Sequence, residues 1–184
     1  MDLAQGLIIV TTVHLLAAAA PGPDFILVSQ QTLSNGKRAG LLCSLGIALG
    51  LSVHILYSSL GLAALIANSS SALWSIKLLG GCYLIYLGIS GLRARAGNHQ
   101  TEQLTTATES SALKTIGLGF LCNALNPKAP IYFVSLFTIV LSQDTPAQHL
   151  LIYGLWMMVL QLAWFSFLTL LLSRPLVTSK FQRM

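Results

Sequence analysis

The chain has 184 residues, of which 54% are apolar and only 8% are charged. A soluble domain carries about 25% charged residues, so this composition excludes an ordinary soluble fold and indicates an integral membrane protein. The net charge of +5 would favour a nucleic-acid partner in a soluble protein, but here the basic residues lie between long apolar stretches, which excludes that class.

Five apolar stretches are about as long as the ~20 residues that cross a bilayer, or longer. Continuous apolar runs favour helices over the alternating pattern of barrel strands. The predicted spans are about Leu3–Leu33, Ala39–Ile66, Leu73–Leu92, Thr115–Leu141 and His149–Ser173. We take the first as a retained span rather than a signal peptide, because a signal peptide begins with basic residues and Asp2 is the only charge before this run.

Proline interrupts the first and fourth predicted helices, at Pro21–Pro23 and at Pro127. The segments that begin at the two breaks share a leading proline, an aromatic and aliphatic run and a closing Val-Ser, and they would run in opposite directions. Inverted repeats of this kind are typical of secondary transporters, although chance similarity between apolar segments gives the same pattern. We expect one transporter domain, 1–184, with a first half at 1–92, a cytoplasmic loop at 93–114 and a second half at 115–184.

The basic residues predict the orientation of the spans in the membrane. Eight of the ten lysines and arginines lie after the first, third and fifth spans, and the loops after the second and fourth contain none. The positive-inside rule then places the N-terminus outside and the C-terminus of this chain inside. No cysteine and histidine spacing fits a metal site, and no sequence motif indicates an enzyme, so neither metal nor cofactor is expected.

Asp24 is the only acidic residue within a predicted span, and a charge at membrane depth usually marks a substrate or ion pathway. Pro21, Gly22 and Pro23 would end one half-helix and begin another. The N-terminus of the second half-helix presents unpaired N–H groups to an anion such as a carboxylate. Asp24 would there bind an ammonium group or a proton, or act only as a helix cap.

The second break, Asn126-Pro127-Lys128, offers the same geometry in the other half. Lys128 lies near the middle of its predicted span and would pair with Asp24 or neutralise a substrate carboxylate. The alternative for Lys128, and equally for Lys77, is a long side chain that reaches the membrane interface. The predicted site for substrate and protons comprises Pro21, Gly22, Pro23, Asp24, Lys77, Asn126, Pro127 and Lys128. Other polar residues within spans are expected mainly to hydrogen-bond between helices, namely His14, Gln30, Gln31, His54, Asn123 and Gln161.

Several motifs, in order along essentially the whole chain, resemble one known family. They are Pro21–Asp24, Ser34–Gly40, Gly46–Gly50, Lys77–Gly88 and Gly119–Ala129. Together they resemble the LysE/RhtB family of bacterial amino-acid exporters, and the stretch from Pro21 to Gln30 is most similar to its threonine and homoserine branch. Many members carry Asn at the position of Asp24.

The resemblance implies a proton-driven exporter of amino acids, such as threonine or homoserine, in the bacterial inner membrane. Its partners would be the amino acid, protons and the lipid bilayer, with no nucleic acid, and a homo-oligomer is left open. The family usually has six spans, whereas five are predicted here. A second hypothesis is therefore a truncated, transport-incompetent membrane protein, or a partner subunit, that lacks the sixth helix.

Overall fold

A computed structural model describes residues 2–68, 111–126, 128–140 and 145–174, and six isolated positions between the first two ranges. Regular structure in the described residues is entirely α-helical, as predicted. The helices are α1 (Leu3–Ala19), α2 (Pro23–Asn68), α3 (Ala112–Ala124), α4 (Lys128–Val140) and α5 (Ala147–Leu172). Most of the predicted third span and of the loop that follows it lies outside the described residues.

The first predicted break is present in the structure. Helix α1 ends at Ala19, and Ala20 has extended backbone angles, φ −65° and ψ 128°. A residue that precedes proline is sterically disfavoured in the helical region, so Pro21 accounts for the end of α1. Pro23 occupies the first position of α2, where its missing N–H costs no hydrogen bond.

The chain also leaves helical geometry at the second predicted break. Helix α3 ends at Ala124 and α4 begins at Lys128, while Pro127 itself lies outside the described residues. The two breaks leave two half-helix N-termini, those of α2 and α4, close to the ends of α1 and α3.

A single residue, Gly36, turns the chain within α2. Its φ of +83° and ψ of 175° are open to glycine but cost other L-residues roughly 1–3 kcal/mol. The two arms of α2 pack against each other beyond this corner, since Thr32 lies beside Gly40. The sequence predicted a longer connection that included the basic pair Lys37 and Arg38. The structure instead places that pair in the helical second arm, because glycine allows the reversal within one residue.

Helix α3 packs closely against the second arm of α2 through glycines on both sides. A methyl group on Gly50 would lie 2.6 Å from the carbonyl oxygen of Phe120, and one on Gly46 or Gly119 would overlap the facing backbone. Small residues allow the backbones of membrane helices to approach in this way. The second arm of α2 and α3 therefore form one tightly packed pair.

Helices α1, α4 and α5 share an apolar core with the second arm of α2. Phe133, Phe137, Tyr153 and Met157 are almost completely buried there, and Leu51 joins them from α2. A second cluster brings both arms of α2 against the C-terminal half of α5 through Val28, Cys43, Ile47 and Phe165. The space between these two clusters lies next to both helix breaks.

Two described stretches, Pro23–Leu60 and Gln148–Leu172, are long and apolar enough to cross a membrane. Helices α1, α3 and α4 are apolar but shorter, so the count of five spans remains a prediction. Large apolar side chains are exposed on the outside of the helices, as at Leu16 and Leu60. Large apolar surfaces of this kind on a chain with so few charges are typical of contact with lipid.

Candidate functional site

The carboxyl group of Asp24 binds across to α3. Its Oδ2 accepts a hydrogen bond of 2.7 Å from Asn123 Nδ2, and its Oδ1 lies 3.6 Å from Cys122 Sγ. Asp24 stands in the first turn of α2, yet these bonds come from another helix rather than from its own N-terminus. The cap alone therefore does not account for this residue. The contact joins the residues of the first break to the C-terminal turn of α3.

The second break positions Lys128 by a local cap. Asn126 Oδ1 accepts a hydrogen bond of 3.0 Å from the backbone N–H of Lys128, and its carbonyl accepts one of 3.1 Å from Ala129. Asparagine is among the best residues for this position, because its side chain satisfies an N–H at the start of the helix. Asn126 thus fixes where α4 begins and where the lysine side chain starts.

The Lys128 side chain extends to the first half of the chain. Its Nζ donates to the carbonyl oxygen of Ala17 at 3.4 Å, in the last turn of α1. The carbonyls of a last turn lack helical partners and carry the negative end of the helix dipole, so this position favours an ammonium group. The Lys128 side chain therefore lies against the end of α1.

One cavity lies where the two breaks meet. Its wall contains Gly22, Asp24, Asn126 and Lys128 from the predicted site. Pro21 and Pro23 are exposed and shape the break rather than the wall. Lys77 and Pro127 lie outside the described residues. The structure thus brings four of the eight predicted residues to one cavity.

The cavity also contains polar residues that the sequence assigned to helix contacts. His14, Asn123 and Gln161 line its wall, and their side chains are only 2–3% exposed. Among the described residues, His14 Nε2, Asn123 Oδ1 and Gln161 Oε1 have no hydrogen-bond partner. Buried polar atoms are rarely left unpaired, so these three atoms are candidates for hydrogen bonds to a polar group in the cavity. Their polarity within apolar spans was the only signal available in the sequence.

His54 supports this wall from behind. Its Nε2 lies 2.8 Å from the backbone carbonyl oxygen of Asn123 and its Nδ1 lies 3.0 Å from the hydroxyl of Tyr57. Because a carbonyl can only accept, Nε2 is the donor, and Nδ1 accepts from the tyrosine. The ring is stacked on Phe133 with centroids 5.6 Å apart. His54 therefore holds the backbone of the residue whose side chain binds Asp24.

The arrangement is suited to a small molecule that carries both signs of charge. Asp24 offers a carboxyl group and Lys128 an amine on the same cavity, and the apolar wall around them strengthens electrostatic contacts. Among the described residues, no group of histidine, cysteine and acidic side chains could hold a metal ion. Binding and release of a zwitterion is what these side chains support.

Comparison with known proteins gives a consistent family. Residues 15–184 match the LysE type translocator family. The chain is 31% identical over 183 residues to the threonine efflux protein of Escherichia coli, and the alignment covers 95% of this chain and 85% of that protein. It is 34% identical over 166 residues to an uncharacterized membrane protein of Haemophilus influenzae, which covers 88% and 78%. No solved structure matches the chain.

Proposed function

Because this chain belongs to the LysE type translocator family, a family of membrane transport proteins rather than enzymes, we propose that it exports small amino acids. Threonine and homoserine are the first candidates, since relatives that cover most of the chain include threonine efflux proteins. Export would use the proton gradient across the bacterial inner membrane.

The observation that carries this proposal is the placement of Asp24 and Lys128 on one cavity between the two helix breaks. An amino acid has an ammonium group and a carboxylate about one carbon apart, and the cavity offers a group of opposite charge for each. The N-terminus of α4 adds partial positive charge on the lysine side. The substrate ammonium would bind at Asp24, and its carboxylate at Lys128 and this N-terminus.

Proton coupling follows if Asp24 holds either the substrate ammonium or a proton, but not both. A proton that arrives from outside would displace the ammonium group and release the substrate outward. The proton would then leave to the cytoplasm, where the next substrate binds. Rocking of one half against the other would change which side the cavity faces.

We extend the proposal to the architecture of the domain. Five spans in two inverted halves would place the breaks α1–α2 and α3–α4 in corresponding positions, and both are next to the cavity. The N-terminus would lie outside, and the loop 93–114 and the C-terminus of this chain inside. Cysteines introduced singly at the N-terminus and in this loop should react with an impermeant maleimide from opposite sides of intact cells.

Efflux of preloaded threonine and homoserine from cells that express this chain tests the function. Membrane abundance is measured in the same cells. We expect export above the empty-vector level that collapses when the proton gradient is dissipated. Export of neither amino acid at normal abundance would contradict the proposal and would favour the second hypothesis, a partner subunit. Export that survives loss of the gradient would contradict the coupling alone.

A further inference from the structure

The substrate cavity contains a second polar pair that the proposed charge contacts leave unused. His14 on α1 and Gln161 on α5 both line the cavity and are 3% exposed. The two side chains are neighbours, yet the geometry leaves His14 Nε2 and Gln161 Oε1 without a hydrogen bond among the described residues. The wall of one cavity therefore contains two side chains, from different helices, that each carry an unpaired buried polar atom.

Whether Nε2 of the His14 ring carries a proton determines what this pair can bind. His14 Nδ1 lies 3.0 Å from the hydroxyl of Tyr132, which is itself buried. If the tyrosine donates this bond, as a phenol readily does, Nδ1 is the acceptor and Nε2 carries the proton of the neutral ring. Nε2 is then a donor, while Gln161 Oε1 is an acceptor.

A donor and an acceptor side by side match a hydroxyl group. A hydroxyl accepts one hydrogen bond and donates one, so a single hydroxyl satisfies both orphaned atoms. An apolar side chain would leave both unpaired, and a charged side chain would find no group of opposite charge in this pair. We propose that His14 and Gln161 form a subsite that selects amino acids with a hydroxyl in the side chain.

This inference rests on the proposed function, because it assigns the side-chain half of the same substrate. Asp24 and Lys128 would bind the ammonium and carboxylate groups that all amino acids share. The subsite would determine which side chains are preferred. Sites that bind a substrate hydroxyl through buried polar groups discriminate strongly against analogues that lack it. The expected preference is on the order of tenfold to a hundredfold.

The natural probe is 2-aminobutyrate, which is both threonine and homoserine without the hydroxyl. Inside-out membrane vesicles that contain the full chain would take up each radiolabelled amino acid under an imposed proton gradient. We expect the ratio of initial rates at limiting concentration to favour threonine or homoserine by on the order of tenfold or more. A ratio near one in the unaltered protein would overturn the inference, whatever the variants do.

Variants then assign the preference to the pair. Gln161→Met keeps the length of the side chain and removes the acceptor, and His14→Phe removes the donor. Each should bring the ratio close to one. Thr169→Val is the matched control, because Thr169 is a buried polar residue of the same helix outside the cavity wall, and it should leave the ratio unchanged. A ratio of two rates is independent of how much protein reaches the membrane.

The outcomes separate this inference from the function on which it rests. Uptake of none of the three amino acids contradicts the proposed function. Uptake of all three with a ratio unaffected by Gln161→Met and His14→Phe contradicts only the subsite. A preference for the hydroxyl that both variants abolish and Thr169→Val retains supports the subsite.

Discussion

Replacing Asp24 by asparagine separates the charge of this residue from its structural contact. Asparagine has nearly the same shape, and its amide oxygen can accept the 2.7 Å bond that Asn123 Nδ2 now donates to Asp24. Asp24→Ala removes that acceptor and leaves a buried donor unpaired, which costs about 1–3 kcal/mol. We therefore expect Asp24→Asn to unfold in detergent near the temperature of the unaltered protein and Asp24→Ala to unfold earlier.

Transport, unlike stability, should be impaired in Asp24→Asn as well. A hydrogen bond to a charged group contributes about 1.5–3 kcal/mol and a neutral one about 0.5–1.5 kcal/mol, so loss of the charge weakens substrate binding by about 1–1.5 kcal/mol. That corresponds to roughly a tenfold rise in the dissociation constant, measured by calorimetry on purified protein. Proton-coupled export should be lost completely in Asp24→Asn, because the amide cannot exchange a proton.

Normal proton-driven flux in Asp24→Asn would refute this reasoning and would remove Asp24 from the mechanism. The double exchange Asp24→Asn with Asn123→Asp provides a positional control. It returns a carboxyl group to the same cavity wall and reverses the hydrogen bond between the two residues. We expect partial recovery of coupled export, and no recovery would show that the position on α2 is required.

Three further predictions concern the second charge and the helix contacts. Lys128→Met should abolish export while Lys114→Met, at an exposed position on α3, retains it; equal efflux in both would exclude the amine from the site. Gly119→Ala places a methyl group against backbone of α2, whereas Gly117 has open space around it. Thermal unfolding should show a loss of about 1–3 kcal/mol for Gly119→Ala and no loss for Gly117→Ala, and equal stabilities would contradict the close packing. Gly36→Ala should cost about 1–3 kcal/mol because φ and ψ at this position are restricted to glycine, and an unchanged melting temperature would argue against that turn.

The sequence alone determined the class of the protein and the places where its helices break. The composition is that of a protein folded in a membrane. Helix α1 ends before Pro21 because proline has no backbone N–H and disfavours a helical conformation of the residue before it. These effects act within a few residues, so they can be predicted without knowledge of the fold. The sequence also singled out Asp24 as a candidate, because an acid in a long apolar run is costly unless it has a use.

Tertiary structure decided which residues share the cavity. Asp24 and Asn123 are separated by 99 positions and His14 and Tyr132 by 118, and no local rule of sequence joins them. The sequence left Asn123 and Gln161 among ordinary polar helix contacts, because polarity in a span is equally suited to a helix contact and to a binding wall. Only the packing of α1, α3, α4 and α5 around one space distinguishes these roles, since it decides which buried polar atoms find a partner and which face the cavity.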